Sequence, residues 1–162
     1  MRVDDQELQL NGIALRTRMV FFKVYVAGLY LPERASTAPA ALAAKGAKRI
    51  HLMLVRDVDA EQFVESILTG MRLNHSEAQL EEVRKQTDEL MAMIRKAAFA
   101  PKGTSIVLDY SPSQDGTTLF IDGRPGGKPM AGEEFFRMLL RIWLGENPAQ
   151  EDLKEALLGG VQ

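Results

Sequence analysis

Two segments with alternating apolar and polar side chains flank an Asp-Gly pair, and this arrangement constrains the fold more than any other feature of the sequence. The segments read "TSIVLDYSP" and "GTTLFIDG", and "SQDG" between them places Asp115 and Gly116 at turn positions. Period-two alternation is typical of strands, and Asp-Gly favours the tight turn of a hairpin. Because a hairpin joins antiparallel neighbours, the sheet is predicted to be antiparallel or mixed.

Two long helices are predicted in the middle of the chain. Their starts are marked by a polar acceptor with a glutamine three residues later, Asp59 with Gln62 and Ser76 with Gln79, the spacing of a capping box. Apolar residues then recur every three or four positions, so each helix is expected to bury one face. These positions are Phe63, Ile67 and Met71 in the first helix, and Leu80, Val83, Thr87, Leu90 and Ile94 in the second.

The other segments complete the prediction of one α+β domain over residues 1–162, a length typical of a single domain. Residues 7–31 are rich in Val, Tyr, Phe and Leu and are predicted to form strands that fold back at Asn11-Gly12. The apolar run at 48–58 predicts a central strand. Proline, glycine and apolar spacing predict shorter helices at 37–46, 131–145 and 150–158.

The composition narrows the classes of function. A formal net charge of -2 gives no general attraction to nucleic acid or to anionic membranes, and the absence of cysteine removes thiolate chemistry and Cys-based metal sites. A metal site built on His51 and His75 would need carboxylates from distant segments, so we expect no metal and no cofactor. The sequence contains no G-x-S-x-G, H-E-x-x-H, P-loop or G-x-G-x-x-G motif.

No apolar run is long enough for a transmembrane helix, and "MRVDDQELQL" lacks the apolar region of a signal peptide. The protein is therefore expected to be periplasmic or secreted if a signal peptide has been removed, and cytoplasmic otherwise. The oligomeric state stays open.

The segment "LRTRMVFFKVYVAGLYL" places two arginines and a lysine among apolar and aromatic residues. One interpretation is a strand with a solvent-facing side, whose arginine stems cover apolar neighbours. The other is an arginine held inside an apolar cleft, where its planar fork binds a carboxylate, an enolate or a phenolate. Burying a cation without a partner is costly, so an inward arginine predicts an anionic ligand.

The stretch "LNGIALRTRMVFFKVYVAGLYLP" resembles the early hairpin of the chalcone isomerase superfamily, and of its bacterial chalcone isomerase-like branch in particular. "IWLGENP" and "LKEALLGG" are similar to the closing helices of that branch. The resemblance extends over nearly the whole chain. It implies a large antiparallel sheet wrapped by helices, with a ligand cleft between the two layers.

The resemblance also implies roles for two residues. Arg16 stands where catalytic members carry the arginine that polarises a chalcone, and where fatty-acid-binding members hold a carboxylate with an arginine and a tyrosine. Tyr25 stands where catalytic members have a threonine. Arg16 and Tyr25 are nine positions apart and would face opposite sides of one unbroken strand. If both contact one ligand, a turn or bulge is required between them, most simply within residues 18–22.

Two further positions depart from the catalytic pattern of that superfamily. Catalytic members carry a tyrosine and, seven residues later, an asparagine in the helix after the central strand, and these align with Phe63 and Gly70. Loss of both polar groups removes donors that would stabilise a transition state.

Three hypotheses follow. The leading one is non-catalytic binding of a small hydrophobic anion, a fatty acid or a flavonoid-like molecule, with the head group on Arg16 and with Tyr25 as a further ligand-binding residue. The second is a chalcone isomerase-type intramolecular lyase with Arg16 and Tyr25 as its catalytic residues, and the third is an interaction module with a collapsed cleft. In the first, the apolar tail would lie among the side chains of Phe21, Phe22, Phe63, Ile67 and Leu139.

Overall fold

The computed structural model describes residues 1–18 and 22–160, without the side chains of Arg18 and Phe22. A seven-stranded antiparallel sheet dominates it, with the strand order β10-β9-β8-β5-β4-β3 and with β11 also pairing β9. Two small two-stranded sheets, β1 with β2 and β6 with β7, lie apart from it. The strands are β1 (Arg2–Val3), β2 (Gln6–Glu7), β3 (Gln9–Arg18), β4 (Phe22–Leu31), β5 (Lys48–Leu54), β6 (Val58–Asp59), β7 (Phe99–Ala100), β8 (Ser105–Ser111), β9 (Gly116–Ile121), β10 (Arg124–Pro125) and β11 (Met130–Ala131).

Six helices are described, and one face of the large sheet packs with them into a single core. They are α1 (Ala38–Ala43), α2 (Ala60–Asn74), α3 (Glu77–Glu82), α4 (Arg84–Ala97), α5 (Glu133–Leu144) and α6 (Glu151–Leu157). We call the helix-covered face of the sheet the inner face. Alternate residues of β5 point to it, from Lys48 to Leu54, and are almost completely buried. The predicted α+β class, with helices against a large antiparallel sheet, is confirmed.

Most predicted elements are present. Strands β8 and β9 form the expected hairpin, with Asp115 at a positive φ of 43° in its turn. Capping boxes begin α2 at Asp59 and α3 at Ser76. None of the helices in residues 1–18 and 22–160 is long and apolar enough to cross a bilayer.

The second long helix was predicted to be continuous, and this is wrong. The helix is interrupted at Val83, which has φ -113° and ψ 18° and separates α3 from α4. Val83 is 5% exposed, and both α3 and α4 contact α2. Both segments thus pack against the same neighbour on either side of the interruption, which apolar spacing alone does not reveal.

The turn predicted at Asn11-Gly12 is also wrong. Both residues lie within β3, where the register with β4 shifts between Leu10 and Gly12 and marks a β-bulge. The buried Asn11 amide donates to the carbonyl oxygens of Ala35 (2.9 Å) and Leu157 (2.8 Å). Asn11 and Gly12 therefore make tertiary contacts within β3. The antiparallel pairing of β3 with β4 continues beyond them, up to Arg18 and Phe22.

Gly12 lets helix α6 lie directly on β3. A Cβ at Gly12 would come within 2.2 Å of the Ala156 carbonyl oxygen and 2.4 Å of that of Leu157. Only glycine permits so close an approach of two backbones. The C-terminal end of α6 is thus fixed on β3 by Asn11 and Gly12.

The residue after α4 is strained. Ala98 has φ 60° and ψ -50°, a conformation that L residues other than glycine rarely adopt. We expect Ala98→Gly to raise the free energy of unfolding by about 1 kcal/mol, because it relieves a steric cost of that order. The gain corresponds to about 2–4 °C in Tm by thermal denaturation. Ala92→Gly, at an exposed position inside α4, is the matched control and should lower Tm. Equal effects of the two variants would contradict a local strain at Ala98.

Candidate functional site

Arg16 and Tyr25 lie directly opposite each other on β3 and β4. Their Cα atoms are register partners, so both side chains project from the same face of the sheet. The reversal that this arrangement requires is present between Arg18 and Phe22, and a second register shift follows Arg16. The hairpin therefore brings together two residues that one continuous strand would separate.

Tyr25 is a buried, neutral hydroxyl. It is 7% exposed, and its oxygen accepts a hydrogen bond of 2.9 Å from the indole Nε1 of Trp143, which is 2% exposed. Burial raises the pKa of Tyr25, while the Trp143 hydrogen bond and the charge of Arg16 act in the opposite direction. Within the described part of the chain, no acceptor is seen for the Tyr25 hydroxyl hydrogen, so Tyr25 can donate it to a ligand.

Arg16 is half-buried and is positioned by neutral groups. Its Nη1 donates to the Thr17 carbonyl oxygen and, at 3.1 Å, to the amide oxygen of Gln150, the residue immediately before α6. The same Gln150 oxygen accepts from the Thr17 backbone N–H at 2.8 Å. No carboxylate of the described residues lies within 4.0 Å of the Arg16 guanidinium. The charge is thus held in place without being neutralised.

Lys48, a second cation on the inner face, is paired. Its side chain is fully buried, and its Nζ lies 2.7 Å from the Ala44 carbonyl oxygen and 3.5 Å from a Glu133 carboxylate oxygen. Burial lowers the pKa of Lys48, and Glu133 opposes that shift. Lys48 already has a counter-ion, which distinguishes it from Arg16.

An apolar cavity of about 210 Å³ lies at the same end of the sheet, between the inner face and helices α2 and α4. Leu54 forms part of its wall and is the β5 register partner of Tyr25. The cavity therefore begins about one strand spacing, roughly 5 Å, from Tyr25. The lining comprises Leu54, Val58, Asp59, Ala60, Phe63, Ile94, Ala97, Phe99, Ala100, Pro101, Thr104, Ile106, Leu119, Ile121 and Asp122.

The residues predicted to surround an apolar tail fall into three groups. Phe63 lines the cavity. Ile67 and Leu139 are 3% and 2% exposed and belong to the surrounding core, outside the cavity lining. Phe21 and the side chain of Phe22 lie outside the described part of the structure.

Sequence reasoning missed three neighbours of Arg16 and Tyr25, namely Trp143, Gln150 and Leu54. Trp143 is the single tryptophan of the chain, and a lone buried indole that needs an acceptor was a usable signal. Gln150 and Leu54 had no such signal, because their proximity to Arg16 and Tyr25 depends on tertiary packing.

The two positions that depart from the catalytic pattern are apolar: Phe63 lines the cavity, and Gly70 is tightly packed. A Cβ at Gly70 would lie 2.8 Å from Cγ2 and 2.9 Å from Cγ1 of Ile142 on α5. An asparagine at position 70 therefore requires α2 and α5 to move apart. Among the described residues, no group of three His, Asp or Glu side chains converges into a metal site.

Comparison with known proteins identifies the family of this chain and a solved structure with the same fold. The sequence profile described as chalcone isomerase-like matches residues 1–159. Among solved structures, the fatty-acid binding protein AtFAP1 of Arabidopsis thaliana superposes with a TM-score of 0.72 at 17% identity, over 96% of this chain and 88% of that one. A search of curated protein sequences finds no match. With nearly its full length matched by the family profile, the chain belongs to the chalcone isomerase-like family.

Proposed function

We propose that this protein binds a fatty acid or a similar amphipathic anion without catalysing a reaction, with the head group on Arg16 and Tyr25. The observation that carries the proposal is a half-buried guanidinium without a carboxylate partner among the described residues, beside a neutral tyrosine hydroxyl. An apolar cavity lies one strand away. The guanidinium with its neighbouring hydroxyl matches the anionic head group, and the cavity matches the apolar tail.

The head-group chemistry follows from the two side chains. A guanidinium donates two parallel hydrogen bonds to a carboxylate, and such charge-assisted bonds are the stronger kind. The neutral Tyr25 hydroxyl adds a third donor, since its oxygen already accepts from Trp143. Water is largely excluded from Tyr25, which strengthens these bonds.

The cavity suits the apolar tail and disfavours the head group. Its volume of about 210 Å³ exceeds the roughly 150 Å³ of an apolar cavity that holds benzene. Its rim contains the carboxylates of Asp59 and Asp122, which repel an anionic head group. These charges favour one orientation, with the carboxylate at Arg16 and the tail toward Phe63.

The comparison with solved structures supports the same class of ligand. AtFAP1, which shares the fold over 96% of this chain, is described as a fatty-acid binding protein. A protein with this fold is therefore known to bind a fatty acid.

Isothermal titration with a matched pair of ligands tests the proposal. Dodecanoate and dodecanol share one tail and differ in the charge of the head group. At neutral pH we expect dodecanoate to bind at least about tenfold more tightly, because only the carboxylate accepts charge-assisted hydrogen bonds. Native mass spectrometry of gently purified protein should show a co-purifying anionic lipid. Equal affinities, or no binding of either ligand, would count against the proposal and favour a collapsed cleft.

An isomerase is the alternative, because an arginine beside a tyrosine hydroxyl also polarises an enone oxygen. With Phe63 and Gly70 offering no donor, we expect turnover of a phenolic chalcone close to the uncatalysed background. An absorbance assay of cyclisation measures this, with Arg16→Ala as the comparison. If turnover were well above background and depended on Arg16, the function would be catalysis, and the proposal of non-catalytic binding would be wrong.

A further inference from the structure

The floor of the apolar cavity crosses three neighbouring strands of the inner face. It contains Leu54 on β5, Ile106 on β8 and Ile121 on β9. Leu54 is the register partner of Tyr25 on β4, and Ile106 is the register partner of Ile121. Adjacent strands lie about 4.8 Å apart, so this floor spans roughly 10 Å from β5 to β9. The cavity therefore extends across the strands, in the direction away from Tyr25.

The wall opposite this floor is also apolar. Phe63 on α2 and Ile94 on α4 contribute to it, and Ile94 is buried. Thr104 is a polar residue of the lining, and its hydroxyl donates to the Pro101 carbonyl oxygen at 2.7 Å. The interior of the cavity thus offers a hydrocarbon chain apolar contact rather than hydrogen bonds.

Two dimensions of the cavity give the same length for an apolar tail. An apolar cavity of roughly 150 Å³ holds the six carbons of benzene, so a volume of about 210 Å³ holds about eight carbons. An extended chain advances about 1.3 Å along its axis for each bond of about 1.5 Å, so the span of roughly 10 Å also holds about eight carbons. The strand spacing between β4 and β5 accounts for about four more.

The apolar floor ends at Ile121. The next strand, β10 (Arg124–Pro125), is exposed and lies outside the cavity lining found among the described residues. Asp122, the residue after Ile121, is exposed, and its carboxylate accepts the Ser105 backbone N–H at 2.9 Å. A hydrocarbon chain that continues beyond Ile121 therefore enters water beside a charged group. Methylene groups past this point stay hydrated and add no hydrophobic free energy of binding.

We propose that the affinity of this protein for saturated fatty acids rises with tail length up to about twelve carbons and then levels off, with Ile121 as the residue that sets this limit. The inference rests on the proposed function, because the carbons are counted from a carboxylate held at Arg16 and Tyr25. A shorter acid leaves part of the floor without contact, and a longer acid extends into water.

A series of acids of increasing length tests the limit. Isothermal titration gives the Kd of dodecanoate, and competition against it gives those of octanoate, decanoate, tetradecanoate and hexadecanoate, each below its critical micelle concentration. From octanoate to dodecanoate we expect the affinity to rise about fourfold for each added methylene. From dodecanoate to hexadecanoate it should change by less than about threefold in total. An affinity that keeps rising through hexadecanoate, or that is independent of length, would overturn the proposal.

A substitution at the far end of the floor tests the role of Ile121. Ile121→Thr keeps a β-branched side chain and removes apolar contact on β9, so dodecanoate should bind about tenfold more weakly. Octanoate reaches only as far as β8 and should lose less than about twofold. Ile13→Thr is the matched control, because Ile13 is exposed on β3 outside the cavity lining, and it should bind both acids like the wild type. Equal losses for the two acids in Ile121→Thr, or no loss for either, would show that Ile121 does not set the limit.

The same titrations separate the length limit from the proposed function. If dodecanoate binds more tightly than dodecanol while the affinity still rises through hexadecanoate, only the length limit is refuted. If none of the acids binds, the proposed function is refuted and the length limit with it. Circular dichroism of each variant confirms that it is folded.

Discussion

Replacing Gly12 by alanine is expected to cost more than about 4 kcal/mol of folding free energy, the largest stability effect of any single substitution considered. The added Cβ would lie 2.2 Å and 2.4 Å from two carbonyl oxygens of α6, and backbone atoms cannot rotate away as a side chain does. Helix α6 would have to separate from β3, which would expose its buried Leu153, Ala156 and Leu157. Urea denaturation measures the loss, and we expect Tm to fall by roughly 8 °C or more.

Gly28 provides the control for Gly12. It lies on β4 of the same hairpin, and a Cβ there would meet only side-chain atoms, at 3.3 Å from Tyr30 and 3.6 Å from Leu10. Gly28→Ala should therefore change the free energy of unfolding by no more than about 1 kcal/mol. If the two variants were equally stable, the backbone contact at Gly12 would not be what fixes α6.

Arg16→Ala is expected to weaken dodecanoate binding by about 30- to 100-fold. Hydrogen bonds to charged groups contribute about 1.5–3 kcal/mol, and the substitution removes the guanidinium that would form them. Dodecanol should lose less than about threefold, because its hydroxyl carries no charge for the guanidinium to neutralise. Isothermal titration of the two ligands against both proteins gives the coupling between Arg16 and the carboxylate.

Two further variants serve as controls for Arg16→Ala. Arg124→Ala removes an exposed arginine of β10 and changes the net charge equally, so it should bind dodecanoate like the wild type. Arg16→Lys keeps the charge and loses the planar fork, and an intermediate affinity is expected. A loss of equal size for the acid and the alcohol would show that Arg16 acts through packing, and no loss would remove it from the site.

The sequence predicted the elements whose signals are local. Period-two alternation around Asp115-Gly116 identified a real hairpin, and the capping patterns at Asp59 and Ser76 located real helix starts. The Asn11-Gly12 pair carries an equally local turn signal but lies in a bulge, because packing against α6 outweighs turn preference there. Val83 likewise interrupts a helix whose apolar spacing is continuous.

The candidate site was predictable only in part. The resemblance pointed to Arg16 and Tyr25, and residue parity required a turn or bulge between them if both contact one ligand. The cavity, by contrast, is lined from several separate segments, among them β5, α2, α4 and β9, and no pattern within one segment indicates it. Contacts such as Gln150 with Arg16 depend on tertiary docking and have no local signature.

The position of Gln150 in the sequence also implies that the site forms late in folding. This residue holds the Arg16 guanidinium from 134 positions later in the chain, and its helix lies across the strand that carries Arg16. Contacts of such sequence separation form late, because the intervening chain must first be ordered. During synthesis, the sheet can begin to assemble while Arg16 is still unsupported. A nascent chain would therefore gain affinity for an anion only after the residues up to Gln150 have left the ribosome.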